Sequence, residues 1–207
     1  EKDIRFASKL GFPMVRPMIT TPLRILEKTL PVAEEYGVKL AVEVHSPYSL
    51  KGKQVQGIFE LADRKNSKYL GIVPDTGIYV RSQSQVIVDK FIRAGASREI
   101  ADFLCRSYEQ GLPQVEAFEQ LRAMNPNEID LALYKRVYFA INDDPEYLLE
   151  NTDKIFHIHG KCWHMLPDCT EPAVDYERFF DALKRSSFSG YIATEYEGQR
   201  YFHDVGC

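Results

Sequence analysis

The segments LAVEVH (residues 40–45) and YLGIVPD (residues 69–75) are apolar runs that carry the carboxylates Glu43 and Asp75 near their C-terminal ends. Runs rich in Val, Leu and Ile are typical of strands buried on both faces of a parallel sheet. The two carboxylates lie 32 positions apart, close to the length of one βαβ unit. The two segments therefore predict neighbouring parallel strands with acidic groups at the same edge.

Two later segments repeat this pattern with other polar residues. IFHIH (residues 155–159) ends in His159, and YIATE (residues 191–195) ends in Glu195. Parallel strands that close around a barrel present their C-terminal ends at one mouth, where the active sites of (β/α)₈ barrels lie. We therefore predict that both residues converge there with the first two carboxylates.

Three carboxylates and one imidazole form an oxygen-rich ligand set that suits Mn²⁺, Mg²⁺, Co²⁺ or another divalent ion. Buried carboxylates destabilise a fold unless a cation is paired with them. The predicted metal ligands are Glu43, Asp75, His159 and Glu195. The sequence therefore indicates a metalloenzyme.

Amphipathic segments separate the predicted strands, and this alternation predicts a parallel α/β fold. A short apolar run at residues 14–19 is predicted as a further strand. The predicted helices occupy residues 2–10, 23–36, 54–64 and 175–185.

One interval is too long for a single βαβ unit, since Asp75 and His159 lie 84 positions apart. The excess, residues 84–145, is predicted as a helical insertion after strand six of a barrel. Such an insertion acts as a lid or a subunit contact, or else packs against one side of the barrel. Its predicted helices occupy residues 85–94, 98–110, 114–124 and 127–141.

The strand count is lower than a closed barrel needs, because five strand segments are present and a (β/α)₈ barrel has eight. Residues 1–207 are expected to be a partial TIM-barrel domain without its first three βα units and last helix. Open sheet edges expose unpaired backbone groups. We therefore expect residues 1–207 alone to form no stable monomer, and the strand at residues 14–19 to have one unpaired side.

Composition excludes two classes of partner. A net charge of −4 without a basic stripe argues against nucleic acid. No apolar run approaches the roughly 18 residues of a membrane span, which argues against a membrane partner. Cys105, Cys162, Cys169 and Cys207 show no C-x-x-C spacing, which disfavours a thiolate zinc site and favours free thiols in the cytoplasm.

Several residues beside the predicted ligands are candidates for other roles. His45 shares the strand face of Glu43 and is a candidate general base or acid, with a core role as the alternative. Lys161 is a candidate to bind a substrate oxygen, with an ordinary surface position as the alternative. His157 is expected to be a hydrogen-bonded core residue. Three residues are expected to line the pocket from loops, Trp163, His164 and Arg200.

The motifs EVH, PDTG, HIHGK and TEYEG, beginning at Glu43, Pro74, His157 and Thr194, occur in an order and spacing that resembles the xylose-isomerase-like TIM-barrel superfamily. The resemblance implies the second half of such a barrel. It also implies a sugar-directed enzyme whose single metal ion is bound by Glu, Asp, His and Glu. Those positions correspond here to the four predicted ligands.

Within this superfamily, EVH, HGK and the long insertion resemble the α subunits of C-glycoside deglycosidases. That resemblance implies cleavage of the carbon–carbon bond between a 3-oxo-sugar and an aromatic aglycone, with a small β subunit and a higher oligomer. Ketose 3-epimerases carry a His and an Arg where this chain has Ile78 and Met165. Endonuclease IV relatives need a His-rich trinuclear site, which five histidines disfavour.

The expected function is a metal-dependent lyase that removes a proton from a keto-sugar, with His45 or Glu195 as the base and Lys161 on a substrate oxygen. A sugar or sugar-phosphate isomerase or epimerase is the alternative, because it uses the same enolate chemistry. A catalytically idle, metal-containing, sugar-binding subunit is an alternative of a different class.

Overall fold

A computed structural model describes residues 1–206 of the chain. Strands alternate with helices at each end of the chain, and a run of consecutive helices separates the third strand from the fourth. The strands are β1 (Met14–Val15), β2 (Lys39–Val44), β3 (Leu70–Pro74), β4 (Ile158–Cys162) and β5 (Ile192–Tyr196). The helices are α1 (Lys2–Lys9), α2 (Leu23–Tyr36), α3 (Lys53–Arg64), α4 (Gln85–Arg93), α5 (Arg98–Glu109), α6 (Gln114–Ala123), α7 (Glu128–Val137) and α8 (Tyr176–Arg185).

All strand pairs are parallel, and they follow the order of the sequence. One ladder joins β1, β2 and β3, and a second joins β4 and β5. Single parallel bridges between Ile72 and Ile155, and between Asp75 and His159, place β4 beside β3. The five strands therefore form part of a parallel α/β barrel, as the sequence predicts.

The junction between β3 and β4 depends on a glycine. A Cβ atom on Gly71 would overlap the carbonyl oxygen of Lys154 and lie 2.7 Å from the Phe156 ring. Only glycine allows the segment before β4 to approach β3 so closely. This approach aligns Asp75 with His159, so the glycine also sets the spacing of the predicted site.

Two strands differ from their predicted limits. β1 covers only two of the predicted residues 14–19, because Pro17 lacks an N–H group for the ladder, although its carbonyl accepts a bond from Glu43 N at 3.1 Å. β4 begins three residues later than predicted, at Ile158. His159 and Lys161 consequently both lie within β4 and share one face.

The outer strands have free edges within residues 1–206. β1 pairs only with β2, so the predicted unpaired side of residues 14–19 is confirmed. β5 pairs only with β4 and is mostly exposed, and Tyr191 just before it has 82% of its surface accessible.

Helices α4 to α7 form a layer with its own apolar core. Buried Ile100, Leu104, Leu121, Leu133 and Val137 belong to one cluster, separate from the cluster that fills the barrel half. The side chain of Asn127 caps α7, and that of Asp130 completes a reciprocal capping box. Two 3₁₀ turns within Pro145–Lys154, separated by non-helical backbone at Asn151, lead from this layer to β4.

Substitution of Gly71 tests the junction. We expect Gly71→Ala to lower the free energy of unfolding by roughly 1–3 kcal/mol, because the added methyl group meets a backbone carbonyl and a packed ring. The control is Gly57→Ala within α3, where a Cβ meets only the side chain of Leu23, whose nearest methyl carbon at 2.8 Å is the end of a flexible side chain that can move aside. That control should be neutral or gain up to about 1 kcal/mol of helix propensity.

Urea denaturation of the full-length protein measures both variants. Equal stability of Gly71→Ala and the wild type would contradict the role of this glycine in positioning β4.

Candidate functional site

The four predicted ligand residues meet at the C-terminal edge of the sheet. Glu43, Asp75, His159 and Glu195 each offer a ligand atom, and these atoms all lie within 4.8 Å of one another. Glu43 and Asp75 are buried, and His159 and Glu195 are half-buried. The strand-end pattern thus corresponds to a single cluster in space.

The Lys161 side chain lies inside this cluster. Its ammonium nitrogen lies 2.9 Å from Asp75 Oδ2, 2.9 Å from Glu195 Oε2 and 3.2 Å from Glu197 Oε1. Lys161 is buried and belongs to β4, which excludes the alternative of an ordinary surface lysine. It acts as an internal counter-ion for three carboxylates.

Glu43 has two positively charged or proton-donating neighbours. The Arg16 guanidinium forms an ion pair with Glu43 Oε2. His159 Nδ1 lies 2.9 Å from Glu43 Oε1 and 3.5 Å from Glu195 Oε2. These contacts satisfy a carboxylate that would otherwise be buried without a partner.

Hydrogen bonds from neighbouring loops fix the backbone of the site. Lys161 N donates to Thr76 Oγ1 at 2.8 Å, and the Tyr176 hydroxyl donates to the Lys161 carbonyl at 2.6 Å. Gly77 N donates to Asp75 Oδ1 at 2.8 Å, which leaves the other oxygen of that carboxylate for Lys161. The Ser46 hydroxyl donates to Gly77 O at 2.8 Å and ties the end of β2 to that of β3.

The pKa values follow from burial and from these charges. Burial raises the pKa of Asp75, although Lys161 partly offsets the rise. Burial opposes the charge on Lys161, but the carboxylates of Asp75 and Glu195 outweigh it and raise the pKa of the ammonium. Burial also lowers the pKa of His159, which favours the neutral imidazole that can coordinate a metal ion.

His45 lies at the edge of the cluster with one ring nitrogen already engaged. Its Nδ1 lies 2.7 Å from the carbonyl oxygen of Ser46. A carbonyl oxygen only accepts, so Nδ1 carries the proton and Nε2 of the neutral ring keeps its lone pair. The geometry therefore leaves one nitrogen of His45 available to accept a proton.

The other predicted residues occupy different positions. His157 is half-buried against His159, with ring centroids 5.7 Å apart, and it is not among the cavity-lining residues. Trp163 and Arg200 line the cavity above the cluster, as expected, whereas His164 does not. The Glu171 carboxylate accepts hydrogen bonds from the backbone N–H groups of Trp163 and His164 at 2.9 and 2.8 Å. It thereby fixes the loop after β4.

A cavity of about 470 Å³ opens above the cluster. The barrel half supplies its acidic floor, and Arg136, Phe139 and Ala140 line it from the end of α7 and the turn that follows. The further lining residues are Arg16, Met18, His45, Ser46, Gly77, Val80, Trp163, Arg200 and Tyr201.

The donor set fits a divalent cation. Three carboxylates and one imidazole match the oxygen and nitrogen ligands that Mn²⁺, Mg²⁺ and similar ions take. Glu43 and Asp75 are 6% and 2% exposed, so their charge needs a nearby cation. These residues could hold the ion, and Lys161 supplies part of that charge in the structure.

Three contributors to the site are absent from the sequence predictions: Arg16, Glu197 as a partner of Lys161, and Arg136. Arg16 carries a recognisable signal, because it is a charged residue within an apolar strand segment. Glu197 shares the alternating face of Glu195 and follows β5 directly. Arg136 has no such signal, because its place in the cavity results from the packing of α7.

Comparisons with known proteins agree with this architecture. The model of the family described as xylose isomerase-like TIM barrel matches residues 18–205. A C-glycoside deglycosidase alpha subunit of Arthrobacter globiformis is 30% identical over 95% of this chain and 58% of its own length. A second from that organism is 28% identical over 99% of this chain and 59% of its own length.

A third relative is the 3'-dehydrocarminate deglycosidase alpha subunit of a Microbacterium species, 25% identical over 95% of this chain and 60% of its own length. The chain thus spans about three fifths of the length of these curated relatives. Within residues 1–206, no helix has the length and apolarity needed to cross a membrane.

Substitution of Lys161 tests its role as counter-ion. In chelator-treated full-length protein, we expect Lys161→Met to lower the free energy of unfolding by roughly 3–5 kcal/mol, because buried Asp75 loses its cation. The control is Lys65→Met, which breaks a solvent-exposed pair with Glu27 and should change the free energy of unfolding far less. Urea denaturation gives both values, and equal losses would refute the assignment.

Proposed function

Because this chain belongs to the xylose isomerase-like TIM barrel family, we propose that it is part of a divalent-metal-dependent enzyme that cleaves oxidised C-glycosides. The proposed substrate is a 3-oxo-sugar joined through carbon to an aromatic aglycone. The observation that carries the proposal is the cluster of Glu43, Asp75, His159 and Glu195, with His45 lining the same cavity as its carboxylates. The names of the similar alpha subunits support the substrate class.

The proposed ligands of the ion are the four residues of the cluster, and Mn²⁺ is the preferred candidate. When bound there, such an ion supplies a Lewis acid for the negative charge that develops on the substrate oxygens. The carboxylates of Glu43, Asp75 and Glu195 line the floor of the cavity, and the ligand nitrogen of His159 lies within 4.8 Å of their ligand oxygens.

His45 is the proposed base. A ketone at the third sugar carbon acidifies the proton on the second carbon, and His45 Nε2 takes that proton. The electron pair then forms a double bond between the first and second carbons, and the bond to the aglycone breaks. The aglycone leaves with that bonding pair and receives a proton, so the products are an unsaturated keto-sugar and the free aglycone. Glu195 is the alternative base.

Lys161 has two proposed roles. Its ammonium balances the carboxylates of Asp75, Glu195 and Glu197, as the contacts of 2.9–3.2 Å indicate. It also lines the cavity, so it can donate a hydrogen bond to a substrate oxygen. Both roles need the charged ammonium that the surrounding carboxylates favour.

The proposed assembly includes a second, small β subunit. The similar proteins are named alpha subunits, a term that implies a partner for them. By analogy we propose a hetero-oligomer for the protein that contains this chain.

Incubation of the full-length enzyme with a 3-oxo-C-glucoside and Mn²⁺, with any β subunit present, tests the function. We expect release of free aglycone, measured by chromatography, and loss of release after chelation. Conversion of the sugar without aglycone release would instead support an isomerase or epimerase, which shares the first proton transfer. Metal binding without turnover of either kind would support an idle sugar-binding subunit.

Substitution of a proposed ligand should remove metal and activity together. We expect His159→Ala and Glu195→Ala to lose bound Mn²⁺ in elemental analysis, because three remaining ligands leave the site underfilled. Glu99→Ala, on the exposed face of α5, is the control and should keep the ion. A stoichiometric ion in either site variant would show that its ligand assignment is wrong.

Substitution of the proposed base should separate metal binding from turnover. We expect His45→Ala to keep the ion while kcat falls by roughly 10²–10⁴-fold, the usual contribution of a general base. His203→Ala, at an exposed histidine, serves as the control. An unchanged kcat in His45→Ala would assign this histidine a packing role.

A further inference from the structure

Four cationic side chains line the cavity, and three of them have carboxylate partners. Arg16 pairs with Glu43, Lys161 pairs with the carboxylates of the cluster, and Arg200 lies 2.9 Å from Glu197. The fourth is Arg136, which no carboxylate of residues 1–206 approaches within ion-pairing distance. Its charge is therefore available to a ligand in the cavity.

Arg136 is nevertheless held in place. Its guanidinium carbon lies 5.9 Å from the centroid of the Trp163 ring, and one terminal nitrogen lies 3.5 Å from the Tyr201 hydroxyl. The side chain is half-buried at the last turn of α7. A guanidinium oriented in this way loses little conformational freedom when it binds an anion.

The wall around Arg136 is aromatic. Trp163, Phe139 and Tyr201 all line the cavity whose floor carries the acidic residues. Trp163 is 6% exposed, and Phe139 is 46% exposed. A flat, apolar ligand would gain contact area on such a wall, whereas a compact, strongly hydrated anion such as phosphate would gain little.

We propose that Arg136, Trp163 and Phe139 form a subsite for an anionic aromatic group, a carboxylate or an ionised phenol carried on a planar ring. This proposal rests on the proposed function, because it assigns the aglycone of that substrate to the wall formed with α7. It makes Arg136 a specificity-determining residue that selects charged over neutral aglycones.

The bidentate geometry of guanidinium suits a carboxylate on a ring. The cluster of carboxylates on the floor repels such an anion, so the sugar portion is directed to the floor and the charged ring to the wall. The helical layer therefore takes part in substrate recognition in addition to its packing role.

The test compares two probes of nearly the same shape, 2-naphthoate and the neutral 2-naphthamide, by isothermal titration calorimetry. Chelator-treated full-length protein is used, so that the probe carboxylate has no metal ion to bind. We expect naphthoate to bind about tenfold more tightly than naphthamide, the contribution of one charge-assisted hydrogen-bonded pair. Arg136→Met should remove this preference and leave naphthamide affinity unchanged.

Arg122→Met, at an exposed arginine of α6, is the matched control and should keep the preference. Equal affinity of the two probes in the wild type, or a preference that persists in Arg136→Met, would overturn the proposal. If inorganic phosphate binds more tightly than naphthoate, and only when Arg136 is present, the subsite does not select an aromatic group and that part of the proposal is wrong. Trp163 is the only tryptophan, so quenching of its emission gives a second readout of occupancy.

These outcomes are independent of catalysis. Probe selectivity that depends on Arg136, together with no release of aglycone from a 3-oxo-C-glucoside, would support the subsite and count against the proposed function. Release of aglycone without a preference for naphthoate over naphthamide would support the proposed function and count against the subsite.

Discussion

Neutralisation of buried carboxylates is the constraint on which the rest of the structure depends. The side chains of Asp75 and Glu43 are buried at the C-terminal edge of a parallel sheet. The fold tolerates them because the Lys161 ammonium lies beside Asp75 and the Arg16 guanidinium lies beside Glu43. Coulomb repulsion among three carboxylates whose ligand atoms lie within 4.8 Å of one another would otherwise oppose folding. Lys161 and Arg16 supply the compensating charge within the chain. The same arrangement gives a divalent ion a ready-made set of oxygen and nitrogen donors.

Close contacts of the backbone, more than the packing of large side chains, hold this cluster in position. Gly71 lets the segment before β4 approach β3, and the bridge between Asp75 and His159 follows from that approach. Thr76 accepts a hydrogen bond from the Lys161 N–H group, Tyr176 donates one to the Lys161 carbonyl, and their two hydroxyls lie 2.9 Å apart. Gly71, Thr76 and Tyr176 are not proposed ligands, yet each helps to set where a ligand or its counter-ion lies.

The sequence predicts the ligands better than their surroundings. Glu43, Asp75, His159 and Glu195 are identifiable because metal-binding residue types recur at the ends of apolar runs, and strand geometry dictates where those ends meet. The buried position of Lys161 is not predictable in the same way, because it depends on β4 continuing to Cys162, three residues past its predicted end. Periodicity alone does not set where a strand ends. Arg136 reaches the cavity through the packing of α7, which no local pattern encodes.

We propose that this cluster holds a divalent ion. Crystals of the full-length protein grown with Mn²⁺ and measured at the manganese absorption edge test it most directly. We predict one anomalous difference peak per chain, surrounded by Glu43, Asp75, His159 and Glu195. An empty position, with the Lys161 ammonium still between Asp75 and Glu195 at saturating Mn²⁺, would contradict the account.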